Sequence, residues 1–215
     1  MVGALFGNIG TLAHGLLLTA GMAVGGTAGA LLLGTLLAVF RISPVWPLRA
    51  FGTVYVTVFR NIPLLMLLVL FAFGLPDIGL LFSLFLTATL AMIMYWAAFV
   101  CEVVRAGVRA VPRGQIEAAR ALGLGFGQVL RLVVLPQAIR SMVQPLANIV
   151  IAVTLSTALS AAIGVAELTG QAQFLTIQYD IPIPVFALTT VIYVAITLTA
   201  GLVAGRIERK WAINR

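Results

Sequence analysis

The basic residues divide this chain before anything else does. All thirteen fall into three clusters: Arg41, Arg49 and Arg60; then Arg105, Arg109, Arg113, Arg120, Arg131 and Arg140; then Arg206, Arg209, Lys210 and Arg215. Residues 1–40, 61–104 and 141–205 contain no Lys or Arg and are mostly apolar. Runs of this length call for a bilayer as solvent, because about 20 apolar residues in a helix cross the hydrocarbon core. Composition agrees: 62% of residues are hydrophobic and 9% are charged, against roughly 25% charged in soluble domains. The apolar runs are continuous rather than alternating, which selects helices over a closed barrel.

These lengths predict an all-α integral membrane protein of about five transmembrane helices, folded as a single domain over residues 1–215. Helix one lies near 11–39. The turn residues Gly74-Leu75-Pro76-Asp77 split the second run into helices near 55–74 and 80–104, the former reaching back to Tyr55 with Arg60 snorkelling at the interface. The third run gives helices near 141–163 and 184–206, separated by a more polar stretch from Glu167 to Pro184. Five crossings put the termini on opposite sides. The positive-inside rule then sets every basic cluster in the cytoplasm, with the N-terminus outside, the C-terminus cytoplasmic, and Asp77, Glu167 and Asp180 outside. No basic residue precedes Arg41, so the first segment lacks a signal-peptide n-region and is expected to stay in the mature protein. Gly21, Gly25 and Gly29 share one face of helix one at the small-xxx-small spacing that brings helix backbones together in lipid, although glycine is common in membrane helices generally.

Several functional classes are disfavoured. The net charge of +7 lies between apolar runs rather than on one face or arm, so no nucleic-acid partner is expected. A single cysteine, Cys101, excludes an intrachain disulfide framework and reads as a small apolar helix residue. His14 has no companions to complete a metal site. One His, one Cys and six dispersed acids supply no catalytic pair or triad for a membrane-embedded enzyme. Gly123, Gly125 and Gly127 lack the preceding strand and the Gly-Lys-Ser/Thr of a phosphate loop. Trp46, Trp96 and Trp211 read as helix-end anchors or packing groups.

The connection from 105 to 140 is too long for a simple turn and has helical periodicity of its own, so it is expected to fold and to bind a partner. Glu117-Ala118-Ala119-Arg120-Ala121-Leu122-Gly123 reads as a short helix ended by glycine, and a second helix stops at Leu135-Pro136. Small Ala and Gly side chains let such a helix enter a narrow cleft.

Here a resemblance becomes specific. Glu117-Ala118-Ala119, three residues, Gly123, nine residues, then Val133-Val134-Leu135-Pro136 resembles the EAA loop of ABC importer permeases, with Val133 where Ile is usual. Phe59-Arg60-Asn61-Ile62-Pro63-Leu64-Leu65, Glu102-Val103-Val104-Arg105, Pro112-Arg113-Gly114-Gln115-Ile116-Glu117 and Ile163-Gly164-Val165-Ala166-Glu167-Leu168 resemble blocks of its polar amino-acid branch. The resemblance implies an importer half in the bacterial cytoplasmic (inner) membrane. Its partners would be a second permease subunit, the same or homologous, a cytoplasmic ABC ATPase dimer and an extracytoplasmic amino-acid-binding protein. ATP and Mg would be bound by the ATPase and no cofactor by this chain. Glu117, Ala118, Ala119, Gly123, Leu135 and Pro136 would form the ATPase-coupling surface. A non-transporting anchor or self-sufficient channel is the alternative, and it leaves the patterned loop without a role.

Candidate pathway residues each have a plainer reading. Arg60 and Glu102 either gate the cytoplasmic end or touch substrate, or else anchor helix ends at the interface. Thr154, Ser156, Thr157 and Ser160 can bond a zwitterion, or equally their own helix backbone. Asn61-Ile62 stands where the family usually has Gly-Thr, and Leu155-Ser156-Thr157-Ala158-Leu159 departs from the usual Lys followed by Thr-Ser-Leu. Asn61 therefore joins the pathway candidates, with glutamate or glutamine as the first expectation for the substrate.

Overall fold

A computed structural model describes residues 7–211, with the side chains of Ala204 and of residues 207–211 outside the description. Among the described residues the regular elements are helical. Helix α1 (Ile9–Ile42) runs unbroken for 34 residues, about 51 Å at 1.5 Å per residue. It exceeds the roughly 30 Å hydrocarbon core, long enough to carry Arg41 to the boundary. Then come α2 (Trp46–Asn61), α3 (Leu64–Asp77) and α4 (Leu84–Arg109). The connection that follows holds α5 (Arg113–Ala121) and the single turn α6 (Phe126–Val129). A π turn (Leu130–Val134) leads into α7 (Leu135–Ser156), which tightens into a 3₁₀ segment over Thr157–Ile163. Helices α8 (Leu168–Tyr179) and α9 (Pro182–Trp211) complete the described residues.

Four segments are long and apolar enough to cross a membrane: Ile9–Ile42, Leu84–Arg109, Phe126–Ile163 and Pro182–Val203. Taken together, α2 and α3 are also long and apolar enough for one crossing, but they are bent by 102° at the break between them, so the spans number four, or five with this pair counted as one. This corrects the expectation of one helix near 55–74, which is interrupted at Ile62-Pro63. Pro63 has no N–H, and it drives the preceding residue out of the helical region; Ile62 accordingly has ψ 131 and Pro63 ψ 132. The amide of Asn61 donates to the Thr57 carbonyl at 2.7 Å, satisfying one of the acceptors freed at the helix end. The turn at 74–77 also moves. Helix α3 continues through Pro76, and its carbonyls are closed by the N–H groups of left-handed Gly79 (φ 81) and Leu80, a glycine C-cap.

Two other boundaries differ from expectation. The connection expected over 105–140 contains the end of α4 and the start of α7. The polar stretch 167–184 is not an open loop: it contains α8, and Glu167 at its start is fully buried. Sequence polarity was a poor guide because hydroxyl groups on other helices supply its partners.

Helices α1 and α4 form the central seam. A Cβ on Gly21, Gly25 or Gly29 would point at Phe85, Thr89 or Ile93 respectively, so the three glycines share one face against one stripe of α4. At Gly34 the approach includes backbone, since an added Cβ would lie 2.6 Å from Val100 Cβ and 2.7 Å from the Ala97 carbonyl. Around this seam Met22, Ala30, Leu68, Ala88, Met92 and Val153 pack into the principal apolar core. Cys101 is buried in a second cluster with Leu37, Ala38 and Val56, as its small apolar character predicts. Gly34→Val is expected to cost about 2–3 kcal/mol through overpacking, read as lower thermal stability in detergent. Gly25→Ala, which meets Thr89 at an ordinary 3.6 Å, should leave stability nearly unchanged.

Candidate functional site: a charged cavity and a projecting helix

The last turn of α1, the end of α2 and the C-terminal half of α4 bring four charged side chains together. Glu102 on α4 accepts from the Arg41 guanidinium, with Arg105 Nη2 at 3.4 Å and Arg60 Nη1 at 3.8 Å from its oxygens. Three cations thus surround one carboxylate, leaving a local excess of positive charge. Their environments differ sharply, since the Arg41 side chain is 9% exposed and that of Arg60 is 47% exposed. Arg60 also lies over the Phe99 ring, 5.5 Å from its centroid, a cation–π contact. Arg41, Thr57, Arg60, Asn61, Phe99 and Glu102 line a polar cavity of about 330 Å³. Buried Arg41 Nε, on this wall, has no hydrogen-bond partner.

The break at Ile62-Pro63 positions this cavity, because it ends α2 where Arg60 and Asn61 can turn towards α4. Of the sequence candidates, Arg60, Asn61 and Glu102 therefore meet. Sequence reasoning passed over Arg41, reading it only as part of a basic cluster. Its signal was its position at the end of an otherwise uncharged helix, where a cation needs a nearby anion.

The hydroxyl candidates do not join them. Thr154 donates to the Val150 carbonyl, Ser156 to Ala152, Thr157 to Thr154 and Ser160 to Thr157, at 2.6–2.8 Å. Thr157 and Ser160 are fully buried. All four donate to their own backbone, although Ser160 Oγ also lies 3.7 Å from Met22 Sδ and Thr154 lines a separate apolar cavity against α1; the two 3-residue back-bonds accompany the tightening of α7 into its 3₁₀ end.

Just past the C-terminal end of α4, beyond Glu102 and Arg105, the short helix α5 follows. Pro112 precedes α5, and left-handed Gly123 (φ 83) ends it, its N–H donating to the Arg120 carbonyl while Leu124 N–H reaches Ala119. Glu117, Ala118 and Gly123 are exposed, and a Cβ at Gly123 would meet open space. Ala119, in contrast, is buried with Val111, Val129, Val134, Ala138 and Met142. It anchors α5 rather than facing outward. Gln137 on α7 donates to Gln115 on α5 and to the Val133 carbonyl at 2.9 Å. Leu135 is partly exposed and Pro136 half-buried, opening α7 directly after the π turn. Helix α5 is thereby tied to the shaft of α7. His14 is exposed on α1, Trp46 is exposed at the start of α2, and Trp96 packs against Tyr95 and Phe99; the side chain of Trp211 lies outside the description.

Comparison with known proteins agrees over nearly the whole chain. It is 38% identical over 204 residues to the glutamate transport system permease protein GluC of Corynebacterium efficiens, covering 87% of this chain and 88% of the relative. It is 32% identical over 209 residues to the probable glutamine ABC transporter permease protein GlnM of Bacillus subtilis, covering 97% of each. A chain in the crystal structure of an amino acid ABC transporter with histidines superposes with a TM-score of 0.91 at 30% identity, covering 96% of both. The profile of the family described as "binding-protein-dependent transport system inner membrane component" matches residues 30–213, and the chain belongs to that family of ABC transporter permease subunits.

Proposed function

We propose that this chain forms half of the pathway of an ATP-driven importer for a polar amino acid, with glutamate or glutamine as the substrate class. The observation that carries the proposal is the projecting α5, which offers Glu117, Ala118 and Gly123 to a partner while buried Ala119 and the Gln115–Gln137 contact hold it to α7. Such a helix suits a lever: a force applied to α5 is delivered to the ends of two membrane spans. Relatives named as glutamate and glutamine permeases support the substrate class.

The complete assembly in this reading has a second permease subunit, a cytoplasmic ABC ATPase dimer that holds ATP and Mg, and an extracytoplasmic amino-acid-binding protein. It lies in the bacterial inner membrane surrounded by lipid. The N-terminus is outside and the C-terminus cytoplasmic, consistent with a basic cluster beside α5. The charged cavity belongs to the pathway. Its carboxylate suits a substrate ammonium group and its half-exposed Arg60 suits a substrate carboxylate.

Reconstituted with its ATPase and a substrate-loaded binding protein, the wild-type chain is expected to stimulate ATP hydrolysis, and Gly123→Asp to abolish the stimulation. Aspartate tolerates a left-handed backbone better than most residues, so the variant should fold while placing a charge on the docking surface. Absence of any ATPase association would overturn the permease reading in favour of an anchor or channel.

The cavity has its own test. Arg60→Gln should lower uptake about tenfold, equivalent to about 1.4 kcal/mol, with the assembled complex intact because Arg41 and Arg105 still hold Glu102. Glu102→Gln leaves three guanidinium groups facing one another, and should cost about 2 kcal/mol of stability, below the figure for a fully buried pair. Adding Arg41→Gln should recover part of that loss in a thermal-unfolding cycle.

A further inference from the structure

Glu167 has 0% relative exposure, and among the described residues no ion pair reaches it. Its neutralising partners are dipoles. As N-cap of the 12-residue α8 it accepts from Gly170 N–H at 2.9 Å through Oε1, where the helix macrodipole favours negative charge. Its Oε2 accepts from the Thr19 hydroxyl on α1 at 3.1 Å and from the Tyr193 hydroxyl on α9 at 2.8 Å. Thr19 Oγ1 in turn accepts from Leu168 N–H at 3.1 Å, and the Tyr193 hydroxyl lies 3.1 Å from that of Thr169. One carboxylate therefore joins α1, α8 and α9.

Donors approach this carboxylate from three elements, and an ionised carboxylate, which only accepts, satisfies all of them at once. A glutamine of the same shape would bring its own N–H donors into that convergence. The backbones around it are equally constrained. A Cβ on Gly15 of α1 would lie 2.8 Å from Gln171 Cγ and 3.0 Å from Leu168 Cα, and one on Gly170 would lie 2.3 Å from the Val165 carbonyl. Left-handed Gly164 (φ 91) and Asp180 (φ 51) turn the chain at either end of α8.

The placement of this knot gives it a mechanical consequence. The shaft Phe126–Ile163 begins beside α5 and ends, through Gly164, at the residue pair Glu167-Leu168 that docks on α1. A force entering at α5 moves the near end of the shaft. It reshapes the pathway only if the far end is held; otherwise the shaft and α8 drift together.

We propose that Glu167 is a positioning residue for transport, the anchor that holds the far end of α7 and α8 against α1 and α9 while the near end moves with the ATPase. This rests on the permease reading above. The test is the ratio of substrate transported to ATP hydrolysed by the complete complex in proteoliposomes, for wild type, Glu167→Gln, Tyr193→Phe and Thr19→Val. Glu167→Gln is expected to lower that ratio about fivefold or more, the lower end of the range for coupling between sites, while ATP hydrolysis continues. Tyr193→Phe alone should lower it less, and should add little on the Glu167→Gln background because both act through one oxygen. A wild-type ratio in assembled Glu167→Gln complexes overturns the proposal. Should Glu167→Gln fail to assemble, Thr19→Val and Tyr193→Phe each remove one donor only: a lowered ratio in either supports the anchor, and wild-type ratios in both overturn it. A wild-type complex without ATP-driven transport would instead defeat the permease reading itself.

Discussion

Hydrocarbon offers a polar atom no partner, and the architecture of this chain follows from that constraint. Long helices satisfy their own backbones, which accounts for α1, α4, α7 and α9. Where a helix is interrupted, the chain provides replacements from its own side chains. Asn61 covers the Thr57 carbonyl at the α2–α3 break, Gln137 covers Val133 at the π turn, and Glu167 covers the first turn of α8. Each interruption thus brings a polar side chain to a defined point. Two of the three lie beside features with functional consequences, the charged cavity and the projecting α5.

Close packing joins these points into one body. Helix α1 meets α4 along a seam of glycines, and the close contact of Gly34 with Ala97 and Val100 lies one to two helical turns from the Arg41–Glu102 contact. The ion cluster is therefore held by backbones that cannot slide without a steric clash. Interiors packed this tightly respond to force by discrete rearrangement rather than by gradual deformation. A lever at α5 is useful only in such a body.

Much of this was legible in the sequence, and the limits have physical causes. Basic clusters located the spans because charge is costly in hydrocarbon, and the Glu117–Gly123 pattern located α5 because glycine closes a helix at positive φ. Arg60, Asn61 and Glu102 were singled out one by one, and the structure shows them on one cavity. The cavity itself was illegible, since it depends on a 102° bend whose size no local pattern sets; Pro63 announces an interruption but not its angle. Ala119 was misread as outward-facing because alternating small residues look alike on both faces of a short helix. Glu167 was misread as a loop residue because its partners, Thr19 and Tyr193, are 148 and 26 positions away. The hydroxyls of α7 were ambiguous in the sequence for a chemical reason: serine and threonine bond a ligand or their own backbone with the same donor.

The two carboxylates nearest the spans illustrate how environment separates roles that residue type leaves open. Glu102 is surrounded by full charges at unequal distances, on the wall of a cavity, with the most distant guanidinium also the most exposed. That guanidinium can leave without stranding a charge, because two others remain. Glu167, itself fully buried, is surrounded by neutral donors, Thr19 buried and Tyr193 and Gly170 half-buried, each belonging to a different packed element or to the first turn of its own helix. The departure of any one of them takes a hydrogen bond from a fully buried carboxylate, at about 1–3 kcal/mol apiece. The first arrangement is suited to exchanging partners and the second to keeping them. A machine that turns force at one end into opening at the other requires one of each.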